Sequence, residues 1–196
     1  MSRPGLSQDQ IIQAAIELIE QQGYTEFSLH ILAKQLNIKT PSLYNHFKNA
    51  KELKLAVNKA CEQKMYQQMQ IAIQNKARDE ALLALGKAQL NFALEHPELY
   101  KVILSLSLSN DPDINTAAEE TTLPIYHVLN EYDLTQQEVD YLQRSFRSLV
   151  HGFISLYQAG YLHHRDYSMK TSFEASLNYF LKLLHTLEED KKDQND

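Results

Sequence analysis

The chain has 196 residues, of which 43% are hydrophobic, enough to build a real core in one or two domains. Five glycines and five prolines leave long stretches without either, which argues against a turn-rich β fold and predicts an all-α protein. The lone Cys61 excludes an internal disulfide, no apolar run nears the roughly 18 residues that span a bilayer, and the start MSRPGLSQDQ lacks the apolar core of a signal peptide, so a cytoplasmic location is expected.

In chain order, SQDQIIQAAIELIEQQG opens with a capping box, Ser7 with Gln10, and stops at Gly23. Ile11, Ala14, Ala15, Leu18 and Ile19 between them form the apolar stripe of a half-buried helix. Ser28 is placed to cap a second helix through Leu36, and Asn37 suits a left-handed residue at its end. Thr40 before Pro41 reads as a cap and first-turn pair, starting a short helix that ends near Phe47. On that helix Leu43 and Phe47 share one side. Pro41, Ser42 and Asn45 share the other, flanked by Tyr44 and His46. One side is core, so the polar and planar side needs another partner. Asn49 with Glu52 forms a further capping box, opening a long helix to about Asn75. Two helices joined by a turn of about four residues, the second short and polar outside, make a helix-turn-helix.

Helices are expected at about 78–95, 97–108, 112–131, 135–161 and 167–188, with Pro97 and Pro112 in first turns and a capping box at Thr135 and Glu138. Nine helices in all give an N-terminal helix-turn-helix domain over 1–50, a helical bundle over 51–188, and a tail over 189–196 too polar to pack and so frayed. On the helix from Thr135, small residues recur at Ser145, Ser148, Gly152, Ser155 and Ala159, an edge that lets another helix approach closely. On the last helix, Ser172, Ala175, Ser176 and Tyr179 lie beside a larger apolar stripe. Together these two edges suggest a two-fold homodimer seam, although packing within one subunit is an alternative for the first.

The net charge of −6 first argues against nucleic acid, yet residues 1–55 carry six Lys or Arg against five Asp or Glu, while 56–196 carry thirteen against twenty. Only the first segment would approach DNA cheaply. No pair among His96, His127, His151, His163 and His164 has zinc-site spacing, so neither metal nor cofactor is expected.

The helix-turn-helix FSLHILAKQLNIKTPSLYNHFKNAKEL, with Leu43, Tyr44, His46 and Phe47 in an LYxHF core, resembles the TetR family of bacterial transcriptional regulators. FALEHPELY at 92–100 and RSFRSLVHGFISL at 144–156 resemble the ligand-binding half of a subset of that family, except that Arg147 stands where the subset usually has tryptophan. The resemblance implies a homodimer that reads a palindromic operator in double-stranded DNA and responds to a small-molecule effector. Carried over by position, Ser28 and His30 open the second helix, Lys39, Thr40, Pro41, Ser42 and Asn45 face the groove, and Tyr44, His46, Lys48 and Lys51 serve the backbone. Many relatives have arginine at the position of His30 and lysine at that of Ala50, so one base and one phosphate contact stand in doubt. Phe92, Tyr100, Phe146, Phe153 and Tyr157 are candidates to line an effector cavity, with His151 a pocket or core histidine; aromatic residues at helical spacing equally fill cores.

The expected function is therefore a sequence-specific DNA-binding repressor released by an effector. The alternative is a helical protein-interaction module that has lost DNA readout. No phosphate loop, nucleophile motif or acid/base pair points to an enzyme.

Overall fold

The computed structural model describes residues 6–105, 122–162 and 166–193. Among these, every regular element is helical: α1 (Gln8–Gln22), α2 (Leu29–Gln35), a 3-10 helix (Thr40–Asn45), α3 (Ala50–Ala72), α4 (Arg78–Glu95), α5 (Pro97–Ser105), α6 (Leu123–Leu129), α7 (Gln136–Gln158) and α8 (Met169–Asp193). No described helix is long and apolar enough to cross a membrane. The chain divides into two compact units, Met1–Met65 with Ala93–Glu119, and Tyr66–Phe92 with Glu120–Asp196.

In the first unit, the Ser7 hydroxyl accepts from the Gln10 amide while the Gln10 side chain accepts from the Ser7 amide, so the α1 capping box forms in both directions. Gly23 closes the helix at φ 90°, a left-handed value that favours glycine. Ile11, Ala15, Leu18 and Ile19 of α1 are fully buried, as are Leu32, Ala33 and Leu43 of the next two helices. Helix α5 is tied into this unit by polar bonds. The Glu98 carboxylate accepts from the Tyr24 amide at 2.8 Å, and the buried Asn58 side chain donates to the Val102 carbonyl at 2.8 Å. Such bonds satisfy groups that would otherwise be desolvated without a partner. Cys61 is completely buried, which raises its thiol to about 12 and leaves it inert.

In the second unit, α6, α7 and α8 pack in sequence. Phe146 of α7 meets Phe180 of α8 edge-on at 5.4 Å between ring centres, and Phe153 meets Phe173 at 5.0 Å. A polar clamp holds one end. The Arg78 guanidinium lies 4.1 Å from the Tyr132 ring centre and pairs with Glu188 at 2.7 Å, while Asp79 accepts from the Tyr132 hydroxyl and bonds His185. Gly86 of α4 sits tightly against α8: a Cβ there would lie 2.9 Å from both Leu177 methyl carbons, and Leu177 is itself buried. Gly86→Val should therefore cost about 1–3 kcal/mol through overpacking, read as a lower thermal midpoint by circular dichroism.

Three boundaries differ from expectation. The residues 112–122 preceding α6 are outside the described set except for Thr122, as is Pro112, and the helix begins only at Leu123. Pro124 is in its first turn; a proline cannot sit inside a longer helix, because its ring clashes with the preceding turn. Helix α5 covers Pro97–Ser105, and its expected end at 108 lies outside the described residues. Helix α7 ends at Gln158, capped by Ala159, with Gly160 at φ 82°. Helix α8 runs to Asp193, so the polar stretch expected to fray from 189 is helical for five residues, continuing a helix already nucleated by its buried half.

Candidate nucleic-acid interface

The expected reading helix is a 3-10 helix, and this changes which residues share an edge. Lys39, in extended conformation, is its N-cap; Thr40 is its first residue and makes no side-chain cap bond, contrary to the cap expected of it. Pro41 disfavours the α region for the residue before it, and the turn closes through an i to i+3 bond, Ser42 amide to Lys39 carbonyl at 2.8 Å. The helix stops at Asn45 with His46 as C-cap, two residues short of Phe47. At three residues per turn, Pro41 eclipses Tyr44 and Ser42 eclipses Asn45. Tyr44 therefore joins the outer face instead of flanking it.

Leu43 and Phe47, 1% and 4% exposed, anchor the helix to the core, while Pro41, Asn45 and Tyr44 (48% exposed) face out. Thr40, Ser42 and His46 are half-buried along the rims. Both ends are fastened. The Gln8 side chain donates to the His46 carbonyl, linking the start of α1 to the end of the reading helix. After it, the Asn49 carboxamide accepts from the Glu52 amide at 2.9 Å, and the Glu52 carboxylate accepts from the Lys48 amide, one residue before the position a strict capping box requires. These bonds fix the register between the exposed face and α3.

The other expected contacts also lie outside. Ser28 caps α2 by accepting from the Ile31 amide, and Ser28, His30, Lys39, Lys48 and Lys51 are all exposed. Asn37, at φ 54°, turns the chain between α2 and the 3-10 helix as expected. That turn encloses an open groove of about 560 Å³ lined by His30, Ala33, Lys34, Asn37, Ile38, Lys39 and Thr40. Lys34 was missed by the sequence reading. The signal was there in a narrower window: residues 27–51 hold four lysines and no aspartate or glutamate.

Residues 11–57 match the family described as bacterial regulatory proteins, tetR family, and residues 82–180 match the tetracycline repressor-like C-terminal domain. An uncharacterised HTH-type transcriptional regulator of Mycobacterium tuberculosis, Rv0681, is 30% identical over 162 residues, covering 82% of this chain and 74% of that protein. The chain belongs to the TetR family. It is a helix-turn-helix transcriptional regulator, similar also to YobS of Bacillus subtilis, with 30% identity over 79% of this chain and 80% of the relative. Its all-helical fold is that of TetR regulators: a TetR variant from Acinetobacter baumannii in complex with minocycline superposes with a TM-score of 0.71 at 18% identity, over 94% of this chain and 99% of that one. A Rhodococcus protein gives 0.77 at 17% identity, over 92% and 96%.

The remaining candidates of this TetR-family chain fall in different places. Phe92, Tyr100 and Phe146 are completely enclosed by protein, whereas His151, Phe153 and Tyr157 are half-buried along α7. Tyr100 belongs to the first unit and the other five to the second. Burial, with a smaller push from the Arg147 charge, lowers the His151 imidazole from 6.5 to about 4, so it is neutral at physiological pH. The unfolded chain binds this proton near 6.5 and the folded chain only near 4. The contribution of His151 to stability is thus constant above about pH 6.5 and falls below it by about 1.4 kcal/mol per pH unit until 4. His151→Gln should flatten this acid limb in urea titrations at pH 7 and 4.5.

None of the nine residues expected at the dimer seam is buried: Ser145, Ser148, Ser155, Ala159 and Tyr179 are exposed, and Gly152, Ser172, Ala175 and Ser176 are half-buried. A Cβ placed on Gly152 would meet nothing within 4 Å. Among the described residues, no group of three or more His, Cys, Asp or Glu is arranged to hold a metal, and His163 and His164 lie outside that set.

Proposed function

We propose that this regulator is a homodimeric repressor that binds a palindromic operator and is released by a small-molecule effector. The observation that carries the DNA half is the outer face of the 3-10 helix: Pro41, Tyr44 and Asn45 stand exposed on a helix clamped at both ends, with no subunit core left for them to complete. Asn45 offers the paired donor and acceptor that suit adenine, and Ser42 and Thr40 are short donors for phosphates or thymine methyls. Ser28, Tyr44, His46, Lys48 and Lys51 would position the backbone, as charged and hydroxyl groups do without reading sequence.

The dimer half is supported by the small-residue edge of α7 and by exposed Leu156, Tyr179 and Leu183 nearby in sequence on α7 and α8, large apolar groups whose burial favours association. The effector half is supported by the minocycline bound to the Acinetobacter relative and by the half-buried His151, Phe153 and Tyr157 of α7. Release follows as a population shift. An effector weakens operator binding to the extent that it prefers the conformation with misplaced reading heads. Such a protein works in the cytoplasm, where its DNA lies.

Selection of bound sequences from a random duplex pool tests the proposal. The expected product is a palindrome with half-sites about one helical turn apart, roughly 10 base pairs. No enrichment at low salt would overturn it and favour the interaction module.

A further inference from the structure

The groove between α2 and the 3-10 helix gathers two lysines and a histidine in one lining. Several cations elsewhere are paired: Lys64 with Glu20, Arg78 with Glu188, Lys87 with Glu174, Lys101 with Glu98 and Lys191 with Asp133. Lys34 and Lys39 line the same groove with His30, and among the described residues neither ammonium has an ion pair or a side-chain hydrogen bond. No acidic residue occurs anywhere between 27 and 51 to neutralise them. His30 and Lys34, four residues apart, project from one face of α2, and Lys39 approaches from the far wall after the turn at Asn37. In a chain of net charge −6, two lysines lining one groove repel one another, and a bound anion removes that repulsion.

We infer that this groove is a phosphate-binding cleft for the DNA backbone, in which Lys34 joins Lys39 and His30 on a single phosphate flanking the base-reading face. The assignment rests on the DNA-binding reading above and adds Lys34, on the second helix, to the contacts. A lysine there positions the duplex and carries no sequence preference.

The test is a binding titration across salt with a duplex selected by the wild-type protein. Lys34→Gln should reduce the slope of log affinity against log salt by about one, weakening specific and non-specific duplexes alike. Lys34→Arg should restore the slope, and Lys87→Gln, which removes a paired cation elsewhere, should leave it unchanged. An unaltered slope in Lys34→Gln, with wild-type binding intact, would overturn the cleft alone; a wild-type protein that binds no duplex would instead overturn the DNA-binding reading. Inorganic phosphate should displace the duplex no better than chloride at equal ionic strength. Stronger displacement that Lys34→Gln abolishes would make the groove a free-anion site and refute the backbone assignment.

Discussion

Asn45→Ala should reduce affinity for the selected operator by about 1–3 kcal/mol, roughly a 5- to 150-fold loss, and leave non-specific duplex binding and the melting temperature almost unchanged. The split follows from its position. Asn45 is exposed, at the last residue of the 3-10 helix, and its neighbours Leu43 and Phe47 are the buried anchors of that helix. Removing its side chain deletes a paired donor and acceptor but no packing. Ser42→Ala on the same eclipsed edge should add a smaller loss, and relaxed preference should appear at one position in each half-site. Fluorescence anisotropy with operator and scrambled duplexes checks both parts. Equal loss on the two would mean that Asn45 acts as a general surface contact.

Gly152→Leu should convert the dimer to a folded monomer and abolish tight operator binding. Within the subunit a Cβ at this position meets nothing within 4 Å, so the fold should tolerate the substitution; the cost falls on any partner helix seated on the small-residue edge. Two half-sites bound by a covalently independent pair lose the gain of simultaneous engagement, about 10²- to 10⁴-fold. Gly86→Val provides the contrast, because its added methyls collide inside the subunit and should lower stability instead of changing assembly. Sizing chromatography with far-ultraviolet circular dichroism separates the two outcomes. A Gly152→Leu protein that still elutes as a dimer would place the seam elsewhere.

The features of this fold that sequence betrays are those decided within four residues. Ser7 with Gln10 and Thr135 with Glu138 each form reciprocal capping boxes, and Asn37 takes the left-handed turn its short polar side chain tolerates. The 3-10 geometry was hidden because apolar spacing at Leu43 and Phe47 fits an α-helix equally well, while a segment of six residues is too short to accumulate i to i+4 bonds. Pro124 was readable as a helix start and was overlooked in a run of apparently continuous helical pattern. The outward side of the short helix was legible because Leu43 and Phe47 mark its buried side. Lys34 was not, since averaging charge over 55 residues dilutes a lysine-rich window with the acidic residues of α1. Interior aromatics such as Phe92 and Phe146 show the opposite limit: core and ligand pocket demand the same apolar side chains, so spacing alone separates neither.

The central claim is that the exposed side of Thr40–Asn45 meets nucleotide edges, and its most direct test is an amide chemical-shift titration of the labelled protein with the selected duplex. The account predicts that the largest perturbations fall on Lys39 to His46, with lesser ones at Ser28, His30 and Lys34, while the Ser145 to Ala159 edge of α7 stays still. Saturable binding that leaves Lys39 to His46 unperturbed would contradict it.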